Sequence, residues 1–200
     1  MKYILTESQY NLLLEQTSGL DEFLVKVKET YNIDDEFINK IKQFVVDSDC
    51  KRIIVQNIKM GEALALSDRL VISPRVFTKP LSMFLFILFH EVAHQYQYKK
   101  YGEVQMYSVY VGDTSIEDAA EFMKNTEIVA DEFATRKVRE FVKSGLIPEK
   151  DATFNGMYKN IPIQAIMGMI QQFRSVIKQG NITNPSDVSE FFYNMVKSDL

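Results

Sequence analysis

The chain contains two histidines, and both fall in one short pattern, His90-Glu91-Val92-Ala93-His94. On an α-helix, side chains four positions apart lie one turn above another on the same face. Both imidazoles can therefore bind one metal ion. Glu91 sits one step round the helix. It is turned too far to join the imidazoles as a ligand, yet it can lean over the space in front of the metal, where a general base for water activation belongs. The plain alternative is a pair of surface histidines on an amphipathic helix. Two randomly placed histidines fall four apart only about one time in a hundred, before the glutamate is required. Residues 81–89, just before the pattern, carry no charge. This half of the helix is expected to be buried, and histidines at a buried surface need partners for their ring nitrogens.

A catalytic zinc ion usually takes three protein ligands and keeps a fourth position for water. With no third histidine in the chain, the remaining ligand is expected to be a carboxylate or a tyrosine. The best candidate lies in the stretch Thr126-Glu127-Ile128-Val129-Ala130-Asp131-Glu132-Phe133-Ala134. Glu127 and Asp131 are four apart on one helical face, and Ala130 and Ala134 are small enough to let this helix approach the first closely. A glutamate that reaches the metal and an aspartate that orients a histidine make a workable pair. Read without the histidines, the same stretch is a solvated acidic stripe. Glu117, Glu121 and Glu132 are alternative ligands. The donor set suits Zn2+, with cobalt or manganese compatible in its place.

These side chains need elements to hold them. Pro80 and Gly102 punctuate a motif helix of about six turns. Ahead of it, RIIVQNI (52–58) and LALSDRLVIS (64–73) are β-branched and short and predict two or three strands, with Gly61 turning between them and Pro74 ending the last. Helices are expected at 4–16, at 21–31 and at 34–46, with Asp21 and Asp34 as caps of the latter two. After Gly102, EVQMYSVYVGDTS alternates enough for a strand or an extended loop. Residues 115–143 read as a long helix opened by Ser115, and further helices are expected at about 163–178 and 186–197.

Composition narrows the function. Lys plus Arg number 23 against 27 for Asp plus Glu, a net charge of -4, and no basic run exceeds a pair. Nucleic acid is therefore not an expected partner. Cys50 is the single cysteine, which excludes an intrachain disulfide and leaves a thiolate zinc site without company. The start, MKYILTESQYNLLLEQ, lacks the pattern of a signal peptide, and the uncharged run 81–89 is about half what a bilayer requires. A cytoplasmic location with no membrane partner is the expectation.

HEVAH followed by ExxADxxA resembles the gluzincin branch of zinc metallopeptidases, the group that includes thermolysin and a set of small, minimal relatives. The strand LVIS just before the helix matches their layout, and the resemblance covers roughly residues 53–143. It implies that His90, His94 and Glu127 bind zinc, that Glu91 is the general base, and that Asp131 hydrogen-bonds a ligand histidine, His90. It further implies a metalloendopeptidase with a peptide or protein substrate. The fold to expect is α+β and zincin-like, mostly helical, with a small mixed or antiparallel sheet preceding the motif helix. One domain over 1–200 would comprise N-terminal helices (1–50), a core (51–145) and C-terminal helices (146–200). Thermolysin places another histidine opposite the zinc to stabilise the oxyanion, and none is left here; Tyr107, Tyr110, Tyr158 or Arg136 would have to serve. The opening LTESQYNLL resembles the start of small proteins of large tailed phages, which implies a phage-encoded protein acting in a host cell.

In the peptidase reading, the strand Arg69–Ser73 is a natural edge on which an extended substrate pairs by backbone hydrogen bonds. A second reading keeps the zincin-like fold as a binding or regulatory module with one partner protein. Glu91 argues against it, since binding alone has no need of that base. A purely structural zinc site is the third reading, but such sites are usually closed by four ligands rich in cysteine.

Overall fold

Two helices at the start of the described chain pack Phe23, Tyr31 and Phe44 against rings of the motif helix. The computed structural model describes residues 19–59, 61–112, 114–148 and 158–197, so the helix expected at 4–16 lies outside the described residues. Helix α1 (Leu20–Tyr31) buries Phe23, Leu24 and Val27, and α2 (Asp35–Asp47) buries Phe37, Ile38, Ile41 and Val45. These are the positions that 3.6-residue periodicity places on one face. Asp34 caps α2 by accepting from the Phe37 N–H at 2.8 Å. Asp21 does not cap α1. Gly19 holds that position, and Asp21 falls in the first turn, where its charge complements the helix dipole.

The sheet has three strands, β1 (Arg52–Val55), β2 (Ala63–Leu66) and β3 (Arg69–Ile72), in the order β1-β3-β2. It is mixed: β1 runs parallel to β3, and β2 antiparallel. The run to Ile58 stops early as a strand, and Ile58 makes an isolated bridge with Lys197 instead. Ser67 and Asp68 form a two-residue hairpin that pairs Leu66 with Arg69. That turn fixes β2 on one flank of β3 while β1 takes the other. The expected edge strand, Arg69–Ser73, is thus the central strand, and β1 and β2 are the edges. Leu70, Val71 and Ile72 are all buried, as befits a strand covered on both faces.

A 3₁₀ turn (Pro74–Thr78) leads into the motif helix, α3 (Leu81–Tyr101), with Pro80 as its N-cap. Gly102 ends it at φ +81° and ψ 154°, a conformation open essentially to glycine. The chain then enters α4 (Glu103–Val111), where a strand or loop was the expectation. The alternation in EVQMYSVYV also contains a helical face: Met106, Tyr107 and Val109 are buried together. Burial against neighbouring helices decides between the two periods. Helix α5 (Ile116–Lys143) opens on Ser115, whose hydroxyl accepts from the Asp118 N–H at 3.0 Å. Helices α6 (Ile163–Gln179) and α7 (Pro185–Val196) follow. The architecture is α+β and mostly helical. No described helix is long and apolar enough to cross a membrane.

Helices α3 and α5 make the packing that matters most for function. Ala130 and Ala134 are fully buried, so their small side chains let the two helices come together where the motif lies. Beyond them, Phe141 of α5 packs 5.7 Å from Phe89 of α3 and 4.7 Å from Phe37 of α2, between ring centroids.

Candidate metal centre

His90 and His94 project from α3 towards α5, and Glu127 of α5 faces them. His90 Nε2 lies 3.2 Å from His94 Nε2 and 3.1 Å from Glu127 Oε2, and His94 Nε2 lies 3.5 Å from Glu127 Oε1. A tetrahedral zinc ion with bonds of 2.0–2.1 Å places its ligand atoms about 3.3 Å apart. The three side chains match that spacing. Each is largely buried, with 12–14% of the side chain exposed.

The protons on the two imidazoles can be assigned from their other partners. Asp131 Oδ1 stands 3.0 Å from His90 Nδ1, and a carboxylate only accepts, so the hydrogen is on Nδ1. Gln97 donates from Nε2 to the Thr126 carbonyl at 2.8 Å. Its Oε1 is therefore the atom 2.8 Å from His94 Nδ1, and it accepts a hydrogen from that nitrogen. Both Nε2 lone pairs then point at each other and at a carboxylate. Such a convergence of acceptors repels itself unless a cation stands among them, either an added proton or a metal ion.

The charges of the site show the same pull on cations. Burial by itself would lower the His90 pKa, but the hydrogen bonds to Asp131 and Glu127 override it and raise the value to about 10. His94 shifts upward as well: burial opposes the shift, and Glu127 prevails through charge and hydrogen bond. Glu127 is held well below the usual carboxylate range, because His94 and His90 outweigh the effect of its burial. Glu91 moves the other way. Burial raises its pKa, against the charges of His90 and His94, while the Ala65 N–H donates to it. A carboxylate with a raised pKa is a stronger proton acceptor than an ordinary glutamate.

The site opens into a cavity of about 400 Å³ that is lined by Glu91, by β2 and by residues of α4 to α7. The strand runs along it with one side turned away from β3. Ser73 N–H donates to the Glu62 carbonyl at 2.8 Å, so Glu62 faces β3. Alternation along an antiparallel strand then turns Leu64 and Leu66 the same way and leaves the backbone groups of Ala63 and Ala65 on the outer edge.

The structure brings together His90, Glu91, His94, Glu127 and Asp131 and leaves the other carboxylates out. Glu117, Glu121 and Glu132 are exposed on α5 and take no part in the three-residue group. Among the residues considered for the oxyanion, Tyr158 stacks on His90 at 6.3 Å and 22°, and its backbone N–H donates to Asp131 Oδ2. Tyr110 and Tyr107 also line the cavity, and the Tyr107 hydroxyl accepts from Tyr98 at 2.9 Å. Arg136 points elsewhere, over the ring of Phe133. Burial, then the charges of Glu127, Glu91 and Asp131, push the Tyr158 pKa up, so its hydroxyl stays a donor. Gln97 was not legible as a site residue. Its spacing of three from His94 was the available signal, but its role depends on the Thr126 carbonyl of another helix. No family model, curated protein or solved structure matches this chain.

Proposed function

We propose that this protein is a zinc-dependent metallopeptidase of gluzincin type, with a zincin-like fold. The observation that carries the reading is the convergence of His90 Nε2, His94 Nε2 and a Glu127 oxygen at tetrahedral spacing, with both Nδ1 atoms committed to acceptors behind them. Three protein donors leave one position open, which is the pattern of a catalytic rather than a structural zinc. Zinc held there supplies Lewis acidity and lowers the pKa of a coordinated water to about 7.

The chain's own residues supply the rest. Glu91 lines the same cavity and takes the proton from the attacking water, then returns it to the leaving amine. Asp131 and Gln97 hold the two imidazoles in the tautomer that keeps Nε2 available. The Tyr158 hydroxyl, kept protonated, donates to the oxygen on which negative charge develops. An extended peptide lies along the free edge of β2, where the backbone groups of Ala63 face outward.

The test is zinc content by elemental mass spectrometry together with peptide hydrolysis, for the natural chain and for Glu91→Gln. The expected result is about one zinc per chain in both proteins, with hydrolysis lower by about 10²–10⁴-fold in the variant. Zinc binding with undiminished hydrolysis in Glu91→Gln would sink the mechanism. Zinc binding without hydrolysis of any peptide by the natural chain would favour a binding module.

A further inference from the structure

A groove of about 820 Å³ runs along α5 outside the cavity at the metal centre. Glu132, Thr135, Arg139 and Lys143 line it at spacings of three and four, which is one ridge of the helix, and Lys159 joins them from the short turn Tyr158–Asn160. The groove starts behind the metal centre. Asp131, which accepts from His90 Nδ1 at 3.0 Å, also lines it, and Tyr158, the neighbour of Lys159, stacks on His90.

The charges along this groove are unbalanced. Its four cations, Arg136, Arg139, Lys143 and Lys159, are all exposed. Elsewhere Lys28, Lys42, Lys79, Lys99 and Lys137 each sit beside a carboxylate. Among the described residues, no ion pair joins any of the four groove cations to an acid. The acids of the groove are differently employed. Glu140 is taken by Lys137 at 3.1 Å, and Asp131 accepts from His90 and from the Tyr158 N–H. That leaves Glu132, at the end nearer the metal centre. In a chain of net charge -4, such a local excess of positive charge runs against the whole. Basic residues do favour helix C-termini, and this accounts for Lys143 in the last turn of α5. The dipole effect fades within that turn, so it does not account for Arg139 and Arg136 further back, nor for Lys159 on another element.

We propose that this groove is a docking site for an extended acidic segment of a partner protein. Guanidinium forks match carboxylates in shape as well as charge, and a row of unpaired cations selects a row of acids. From Asp131 to Lys143 the ridge is about 18 Å long at 1.5 Å per residue, room for roughly five residues of extended chain. A duplex nucleic acid, with one phosphate charge per ~1.7 Å, would overrun this patch and meet a chain of net negative charge on either side. Docking needs no metal. Where the peptidase reading holds, the partner is the substrate, gripped away from the bond that is cut.

The experiment is fluorescence anisotropy of labelled oligoglutamate, oligoglutamine and oligolysine peptides of equal length, titrated with the full chain at an ionic strength of about 0.01 M. Oligoglutamate is expected to bind at least about tenfold tighter than oligoglutamine, since exposed pairs are individually weak and several act together. Oligolysine should bind no tighter than oligoglutamine, and the preference should vanish at about 1 M salt, where the screening length falls to about 3 Å. Arg139→Gln with Lys143→Gln removes two groove charges at exposed positions and should weaken oligoglutamate binding by about tenfold. Lys51→Gln with Lys178→Gln removes as many charges from exposed positions elsewhere and should leave binding within about twofold. Equal binding of oligoglutamate and oligoglutamine would overturn the inference, as would equal losses in the two double variants. A single-stranded oligodeoxynucleotide of the same charge that binds tighter than oligoglutamate would assign the groove to nucleic acid instead. None of these readouts depends on zinc or hydrolysis, so either reading can fail while the other stands.

Discussion

The two sides of α3 are built from different materials. Its first half packs into an aromatic core, where Phe84 and Phe89 are fully buried against Phe23, Phe44, Phe77 and Phe141, with ring centroids 5.4–6.1 Å apart. Its second half carries polar side chains, each with a partner, and faces a cavity walled by methionine and tyrosine. Aromatic rings have few rotatable bonds and defined packing geometry, whereas thioethers adapt. The contrast has a physical use. Metal ligands must be held within about 0.5 Å of their working positions, and a helix anchored at one end in close-packed rings can do that. The cavity side has no such requirement, and a wall that yields there leaves the histidines undisturbed.

The largest effect expected on this contrast comes from emptying the aromatic side. Phe89→Ala should cost about 3–5 kcal/mol of stability in denaturant unfolding, whereas Met169→Ala, beside space that is already open and partly exposed, should cost under about 2 kcal/mol. Equal losses at the two positions would erase the distinction.

A smaller effect is expected where the polar half of α3 meets α5. Gln97 ties His94 to the Thr126 carbonyl, next to Glu127, through hydrogen bonds of 2.8 Å. Gln97→Ala should weaken zinc affinity by about 10–100-fold in a competition titration, and should cost the metal-free protein about 1–3 kcal/mol in unfolding, because the His94 Nδ1–H and the Thr126 carbonyl lose their buried partner. Unaltered affinity would show that His94 is held by α3 alone.

A third effect is a dependence on pH. In the metal-free protein the His90 pKa is raised from 6.5 to about 10 by Asp131 and Glu127. A raised folded pKa means that protonated His90 adds stability in full below about pH 6.5, and that this contribution fades as pH rises towards about 10. On the proposed reading zinc takes the place of that proton, so its binding is expected to strengthen over the same window. Calorimetric Tm values should fall between pH 6.5 and 10 without metal and hold or rise with saturating zinc. A metal-free Tm that climbs across this range would contradict the assignment.

Much of this was legible locally. The spacing of His90 and His94 fixes them on one face, because the helical turn is set by backbone hydrogen bonding four residues apart. The same regularity pairs Glu127 with Asp131 and puts Ala130 and Ala134 against α3, and Asp34 and Ser115 cap helices by contacts three residues away. Reading went astray where two local patterns coincide. Residues 103–111 carry both an alternating and a helical period, and the neighbours of α4 select the helix.

The sequence by itself determined the motif helix, its two imidazoles, the Glu91 carboxylate between them and the carboxylate pair downstream, since each depends on distances along a single element. Only the tertiary structure decided that β3 is the central strand and β2 an edge, that Glu127 and not Glu132 faces the histidines, that Gln97 reaches Thr126, and that four methionines from four helices share one cavity. Those relations join residues far apart in the chain. They follow from which apolar faces bury one another, a choice that no local periodicity contains.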